Sequence, residues 1–180
     1  MDSELKTKFI ALLAKEGWNV SAMRHAAISL GLDPEYHNIL FPGGISEALD
    51  YYEQDLDAQM LGRLAKIEVL PQKVREKIAL ALMMRIVPGH APSIKPAWRT
   101  ADVIWRFAGD TATDFNHYTK RGLLAGVYIA SAKFRATDSS PEAKETEIYI
   151  AKNLDRIINI AKLKNKLPKL EDIPIVRYFI

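Results

Sequence analysis

With 180 residues, of which 48% are hydrophobic, the chain is long enough to bury one sizeable core. Its formal net charge of +3 is too small to indicate nucleic-acid or membrane binding, and the lack of cysteine excludes disulfides, thiolate metal sites and a cysteine nucleophile. The first residues resemble neither a signal peptide nor an arginine-rich transit peptide, and no apolar run approaches the ~20 residues that span a bilayer. We therefore expect a soluble protein of one domain or two fused small ones.

Apolar residues recur at helical spacing along almost the whole chain. Eight helical segments are predicted, and they begin near residues 3, 20, 33, 45, 71, 94, 111 and 146. The sixth carries an apolar stripe that includes Trp98, Ile104 and Trp105. Proline residues confine the tail after Pro168 to short or extended structure. No two consecutive strand patterns appear, so the sequence predicts an all-α protein.

The first three segments resemble a helix-turn-helix, because a Gly-Leu-Asp turn separates the second segment from the third. The stretch LGLDPEYHNILFPGGISEALDYY is similar to the corresponding part of TetR-type repressors. We therefore expect a TetR-repressor-like helical bundle. Residues 1–44 would form a degenerate helix-turn-helix subdomain and residues 45–180 a ligand-binding bundle, joined as one continuous globular unit.

The charges of the front segments argue against DNA binding. Residues 25–62 contain no Lys or Arg but seven Asp and Glu, whereas basic side chains that neutralise phosphates supply most non-specific DNA affinity. Tyr36, His37 and Asn38 could contact bases, but no nearby cation would anchor the DNA backbone. We expect no nucleic-acid binding, and keep a TetR-type transcriptional regulator with an apolar effector as the alternative.

The stretch WRFAGDTATDFNHYTKRGLLAGVYIASAKF, residues 105–134, begins with polar groups and continues as a buried helix. Its T-A-T-D segment matches a helix-capping pattern, which explains Asp110 and Asp114. Four polar residues then share one helical face: Asp114, His117, Tyr118 and Arg121. This stripe is either a solvated face, on which Arg121 pairs with Asp110 or Asp114, or a docking surface.

The stripe does not indicate an enzyme. Asp114 and His117 have the i, i+3 spacing of di-iron bundle ligands, but no other His has an acidic residue three positions before it. The chain also has no G-x-S-x-G elbow, no P-loop and no dinucleotide fingerprint. We expect no catalytic residue, no metal site and no cofactor.

Residues 105–134 closely resemble the signature of the ubiquinone (coenzyme Q) biosynthesis accessory family, which are lipid-binding proteins with a TetR-like fold. The matching positions are Trp105, Ala108, Gly109, Asp110, Asp114, Asn116, Tyr118, Thr119, Arg121, Leu124 and Tyr128. Residues 138–142 fit the loop that follows. The resemblance extends more loosely to the front helices and so covers most of the chain.

The resemblance implies a non-catalytic protein that holds polyprenylated quinone precursors, or another isoprenoid lipid or phospholipid. It would present them to the demethoxyubiquinone hydroxylase or to another enzyme of ubiquinone biosynthesis. Carried over position by position, the family's docking patch is Asp114, Asn116, His117, Tyr118 and Arg121. The family often has tryptophan where this chain has His117, so an apolar anchor of the kind that dominates interface energy is missing there.

The carboxy-terminal region bears on membrane contact and location. Mitochondrial members of the family carry an amphipathic carboxy-terminal helix that grips membranes, whereas this chain ends in PIVRYFI. We therefore expect a bacterial member, in the cytoplasm and peripherally at the inner membrane (on the matrix side if the source is eukaryotic). Four lysines near the apolar tail could make a transient contact with anionic lipid. They are Lys162, Lys164, Lys166 and Lys169.

Helices five to eight carry more apolar residues than a two-sided contact needs, so they either pack a solid core or enclose a lipid. Small residues between Ala108 and Ala130 would leave room for the lipid. The expected lining is Ile78, Leu82, Met83, Ile104, Leu124, Val127, Tyr128, Leu154 and Ile158. We also expect a homodimer.

Overall fold

The computed structural model describes residues 2–111 and 115–164. Every regular element in these ranges is helical, so the predicted all-α fold is confirmed, and it is consistent with a TetR-like bundle. The α-helices are α1 (Asp2–Glu16), α2 (Val20–Ser29), α3 (His37–Leu40), α4 (Gly44–Leu64), α5 (Val74–Arg85), α6 (Ile94–Phe107), α7 (Phe115–Arg135) and α8 (Lys144–Lys164). Short 3-10 turns precede α3 and α8. None of the described helices has the length and apolar character needed to cross a membrane.

The chain divides into two compact units, Met1–Val69 and Leu70–Ile180. The boundary expected at residue 44 would separate α4 from α1, but the structure groups the two helices in the first unit. The hydroxyl of Tyr51 on α4 donates to the carbonyl oxygen of Ser3 at 3.3 Å, and Lys6 pairs with Glu47 at 3.9 Å. The fourth helix therefore completes the front unit instead of opening the second.

An aromatic and aliphatic core holds the first unit together. The rings of Phe9 and Phe41 lie 5.6 Å apart, and Trp18 contacts Tyr52 at 5.1 Å. The Asn19 side chain caps α2 by accepting from the backbone N–H of Ala22 at 2.9 Å. The buried members of this core are Phe9, Ile10, Leu13, Ala22, Met23, Ala26, Ala27, Leu40, Phe41 and Ala48.

The segment expected to act as a recognition helix is only a 3-10 turn, Pro34–Tyr36, followed by the four-residue α3. The prediction that His37 could contact bases is wrong, because His37 is buried and its Nδ1 donates to the carbonyl oxygen of Pro34 at 2.7 Å. Arg24, the last basic residue before the acidic stretch, is paired with Glu35 at 2.8 Å. The segment therefore presents little that could enter a DNA groove.

The second unit is built from α5 to α8. Helix α7 packs against α6 and α8, and α5 packs against α6 and α8. The buried part of the second unit includes the cation Arg85 on α5. Its guanidinium lies 5.3 Å from the ring centre of Tyr128. The buried apolar side chains here include Ile78, Leu82, Ile104, Leu124, Val127, Tyr128, Ile150 and Leu154.

The loop before α8 is fixed by one carboxylate. Asp138 accepts hydrogen bonds from the backbone N–H groups of Ser140 and Thr146 and from the Thr146 hydroxyl. These bonds from Ser140 and Thr146 hold the pKa of Asp138 well below its ordinary value. The turn that follows places Glu142 and Ala143 in the left-handed region, with φ of 53° and 57°. Residues 138–142 thus form the cap of the last helix.

Candidate functional site

The corner between α6 and α7 begins with a glycine that ends α6. Gly109 has φ of +94°, and its N–H donates to the carbonyl oxygen of Arg106 at 3.0 Å. The N–H of Asp110 reaches back to the carbonyl oxygen of Trp105 at 2.9 Å. These two bonds form a Schellman cap, in which the left-handed residue favours glycine. The cap turns the Asp110 side chain towards α7.

Five charged side chains, which we call the corner network, join α6 to α7: Asp102, Arg106, Asp110, Lys120 and Arg121. Arg121 Nε donates to Asp102 Oδ1 at 2.6 Å, and its Nη1 donates to Asp110 Oδ2 at 3.0 Å. Lys120 binds the other oxygen of Asp110 at 2.6 Å, and Arg106 binds Asp102 Oδ2 at 2.9 Å. Each carboxylate therefore meets two cations, and the described network carries a formal net charge of +1.

Arg121 is a buried member of this network. Only 2% of its side chain is exposed, and Nη1 also donates to the carbonyl oxygen of His117 at 3.3 Å. The prediction that Arg121 reaches the surface as part of the docking patch is therefore wrong. The alternative explanation, an ion pair with Asp110, is confirmed. Asp102 was not anticipated as the second partner because it lies 19 residues earlier in the chain.

The network lowers the pKa of both carboxylates, Asp102 and Asp110. Burial raises the pKa of Asp102, but the hydrogen bond from Arg121 and the charges of Arg106 and Arg121 outweigh it and leave the pKa below its ordinary value. The same balance holds for Asp110, where burial is outweighed by bonds from Lys120 and Arg121. Both groups are therefore carboxylates at neutral pH, and their charge holds the corner together.

The remaining predicted docking residues fall into two groups. Tyr118 is 62% exposed, and its ring makes an edge contact with the half-buried His117 at 5.2 Å. Asp114 and the side chain of Asn116 lie outside the described residues, as do the side chains of the four lysines of the predicted membrane contact. Tyr118 and His117 are thus the predicted docking residues that the structure places together at or near the surface.

Two tryptophans of α6 were predicted on its core-facing stripe, but neither is fully buried. Trp105 is half-buried, and its indole N–H donates to the carbonyl oxygen of Lys120 at 3.1 Å. The ammonium of Lys120 lies 5.4 Å from the Trp105 ring centre. Trp98 is 36% exposed, and its ring lies 6.5 Å from that of Tyr118. Helical spacing could not separate these rim positions from the core, because both tryptophans share a stripe with buried residues.

Most residues of the predicted cavity lining are buried. Seven of the nine residues are buried, namely Ile78, Leu82, Ile104, Leu124, Val127, Tyr128 and Leu154. Met83 is half-buried and lines an open groove, and the side chain of Ile158 lies outside the described residues. Burial alone does not distinguish a solid core from the wall of a cavity, so the assignment of these seven residues to a lipid stays a prediction.

The groove that Met83 lines runs between α5 and α8. Its volume is ≈ 490 Å³, within the range of small-molecule sites. Arg75 on α5 pairs with Asp155 on α8 at 2.9 Å. The floor is apolar and the rim is charged. The lining residues are Arg75, Glu76, Ala79, Leu80, Met83, Glu147 and Ala151.

Comparison with protein families supports the resemblance seen in the sequence. Residues 90–161, which contain α6, the corner network, α7 and most of α8, match the COQ9 family model. The matched segment includes Tyr118 and Ala151 but lies wholly within the second unit. The site residues described above are therefore in the part of the chain for which the likeness is recognised, apart from those on α5.

Curated relatives extend the likeness over most of the chain. A probable ubiquinone biosynthesis protein coq9, mitochondrial, of Dictyostelium discoideum is 26% identical over 91% of this chain and 63% of its own length. The ubiquinone biosynthesis proteins COQ9, mitochondrial, of Rattus norvegicus and Homo sapiens are 25% and 24% identical, over 86% and 89% of this chain and 57% and 58% of theirs.

These matches confirm the predicted resemblance to the ubiquinone biosynthesis accessory family. The chain spans about six tenths of the length of these relatives. Their names describe biosynthesis proteins and give no catalytic activity. The names place the relatives in mitochondria, and they do not support the bacterial assignment expected from the sequence.

Proposed function

We propose that this chain is a non-catalytic accessory protein of ubiquinone biosynthesis. It holds an isoprenoid lipid or quinone precursor and docks on the demethoxyubiquinone hydroxylase through the start of α7. The observation that carries the docking role is Tyr118, which is 62% exposed although Arg121, three residues later on the same helix, is buried. An aromatic side chain that is mostly exposed buries little apolar surface within the protein, whereas tyrosine is among the residues that dominate interface energy.

The groove between α5 and α8 is the lipid site we propose. Its floor of Ala79, Leu80, Met83 and Ala151 suits an isoprene tail, because an apolar chain gains from leaving water and methionine adapts to irregular shapes. The exposed guanidinium of Arg75, paired with Asp155 beside the groove, offers hydrogen-bond donors to a polar head group. The volume of ≈ 490 Å³ fits part of a polyprenyl chain.

The docking role is tested in cells that depend on this chain for ubiquinone. Tyr118→Ala should lower ubiquinone several-fold and raise its demethoxy precursor, while the melting temperature stays unchanged. Ile148→Ser is the matched control, because Ile148 is also exposed, at 45%, but lies on α8. A Tyr118→Ala strain with normal ubiquinone would contradict the docking role.

The lipid role is tested by mass spectrometry of the protein purified from its own host. Ala151→Trp should fill the groove and reduce the lipid recovered per protein several-fold, since a large side chain would occupy the apolar floor. Ile148→Trp adds the same ring to the same helix outside the groove and should leave lipid recovery as in the wild type. Equal recovery from all three proteins would rule out the groove as the lipid site.

A further inference from the structure

An apolar face at the junction of α6 and α7 extends beyond the predicted docking residues. We call it the α6–α7 face, and it consists of Ile94, Trp98 and Tyr118. Ile94 is 77% exposed, and Trp98 follows one helical turn later at 36%. The Trp98 and Tyr118 rings lie 6.5 Å apart with their planes tilted by 32°, so the two helices contribute to one aromatic surface.

A glycine on α7 fixes the position of the Trp98 ring. A Cβ atom at Gly122 would lie 3.3 Å from Cζ3 of Trp98, closer than side chains usually approach. Gly122 therefore lets the indole lie against the α7 backbone. Since the corner network and the Trp105–Lys120 hydrogen bond also tie α6 to α7, the face is held in place before any partner arrives. Such pre-organisation reduces the entropy lost on binding.

The charged side chains of α6 and α7 have their cations more exposed than their carboxylates. In the corner network Arg106 is 72% exposed while its partner Asp102 is 22% exposed, and Lys120 is 38% exposed while Asp110 is 9% exposed. Lys95, next to Ile94, is exposed and forms no ion pair with any residue that the structure describes. Lys95 thus places a positive charge beside the apolar face, and the exposed cations of the corner network lie on the same two helices. These charges complement a partner surface that carries carboxylates beside an apolar patch.

We infer that Trp98 and Ile94 complete the docking surface around Tyr118, and that the partner meets them with an apolar patch edged by Asp and Glu. The inference rests on the proposed function. In this arrangement Trp98 on α6 supplies the large apolar anchor that is missing at His117 on α7. A membrane is the less suitable occupant, because lipid recognition takes clusters of about four to eight basic residues. The exposed cations named above are three: Lys95, Arg106 and Lys120.

The test is the dissociation constant between the full chain and purified demethoxyubiquinone hydroxylase. Trp98→Ala should weaken binding at least about tenfold, as expected for a central aromatic anchor. Ile94→Ser and Lys95→Glu, which change exposed side chains and should not disturb folding, should each weaken it about three- to tenfold. Ile148→Ser should bind as the wild type does, and raised salt should weaken the wild type more than Lys95→Glu.

Each outcome separates this inference from the proposed function. If the wild-type chain does not bind the hydroxylase, both the proposed docking function and the docking role of Trp98 and Ile94 are wrong. If the wild type binds and Tyr118→Ala weakens binding, but Trp98→Ala and Ile94→Ser bind normally, the function stands and the anchor is wrong. Binding to phosphatidylserine vesicles that Trp98→Ala abolishes, with unchanged hydroxylase affinity, would assign the face to a membrane and also overturn the inference.

Discussion

At the scale of single residues, Arg121 and Tyr118 of the predicted polar stripe have opposite environments. The two side chains lie three positions apart on α7, yet Arg121 is 2% exposed and Tyr118 is 62% exposed. Arg121 has a planar guanidinium that reaches Asp102 and Asp110 at once, which a lysine ammonium could not do with the same geometry. Arg121 positions α7 against α6, and Tyr118 is available to a partner.

Replacement of Arg121 by Ala should therefore destabilise the protein. The change leaves Asp102 and Asp110 with one cation each, and breaking a pair that has a buried member costs about 3 kcal/mol. Thermal unfolding should show a fall in the melting temperature of roughly 10 °C. Arg106→Ala removes a 72% exposed member of the same network and should cost at most about 1 kcal/mol. Equal effects of the two changes would contradict the buried role of Arg121.

The corner network should also make stability depend on pH at the acid end. The folded-state pKa values of Asp102 and Asp110 lie below the ordinary value of 3.8, so the stability they contribute is fully present above about pH 4. It is lost as the pH falls through the folded-state values. In urea titrations below pH 4, Asp110→Asn should flatten the decline of the free energy of unfolding. Asp155→Asn removes an exposed pair, and its free energy of unfolding should decline with pH as that of the wild type does. If Asp110→Asn showed the same slope as the wild type, this result would contradict the role of the network.

At the scale of helices, the sequence was informative where apolar periodicity was strong. The starts predicted for α1, α2, α4 and α6 lie within two residues of the observed ones, because each helix buries one stripe. The fifth helix starts three residues after Pro71, at Val74. Trp98 could not be placed, because its position at the rim depends on Gly122 of another helix. The Arg121–Asp102 pair likewise forms only once α6 and α7 pack.

The turn before α8 provides a test at this scale. Glu142 is exposed and has φ of 53°, a conformation that costs a non-glycine residue about 1–2 kcal/mol. Glu142→Gly removes this strain and partly offsets the gain by adding freedom to the unfolded chain. We expect a net stabilisation of about 0.5–1 kcal/mol in chemical denaturation. Ser139→Gly, three residues earlier in the same loop, should instead destabilise slightly, and a destabilised Glu142→Gly would contradict the left-handed turn.

At the scale of the whole molecule, the fold class and the family resemblance followed from the sequence, but most of the groove between α5 and α8 did not. The nine predicted lining residues share the apolar spacing that marks any core, and seven of them are buried. One of the nine, Met83, lines the groove, and the other groove residues are Ala79, Leu80, Ala151 and charged rim residues. Small and charged residues give no periodic signal in the sequence. The groove between α5 and α8 therefore cannot be predicted from apolar spacing and is recognised only in the packed structure.

The front unit should not bind duplex DNA, although its helix order is that of a helix-turn-helix. Residues 25–62 carry seven acidic side chains and no Lys or Arg, and the segment in the recognition position is one 3-10 turn and a four-residue helix. Each phosphate contact adds salt-dependent affinity through counterion release, and this surface has almost no cation to make one.

We expect no shift of duplex DNA by the wild-type chain even at about 50 mM salt, where such contacts are strongest. A TetR-type repressor with its operator, run in the same gel, serves as the positive control. Glu35→Ala frees Arg24 from its 2.8 Å pair and should still give no shift, because one released cation cannot replace the several phosphate contacts that DNA binding needs. Sequence-specific binding in the nanomolar range would instead restore a transcriptional regulator as the function of this chain.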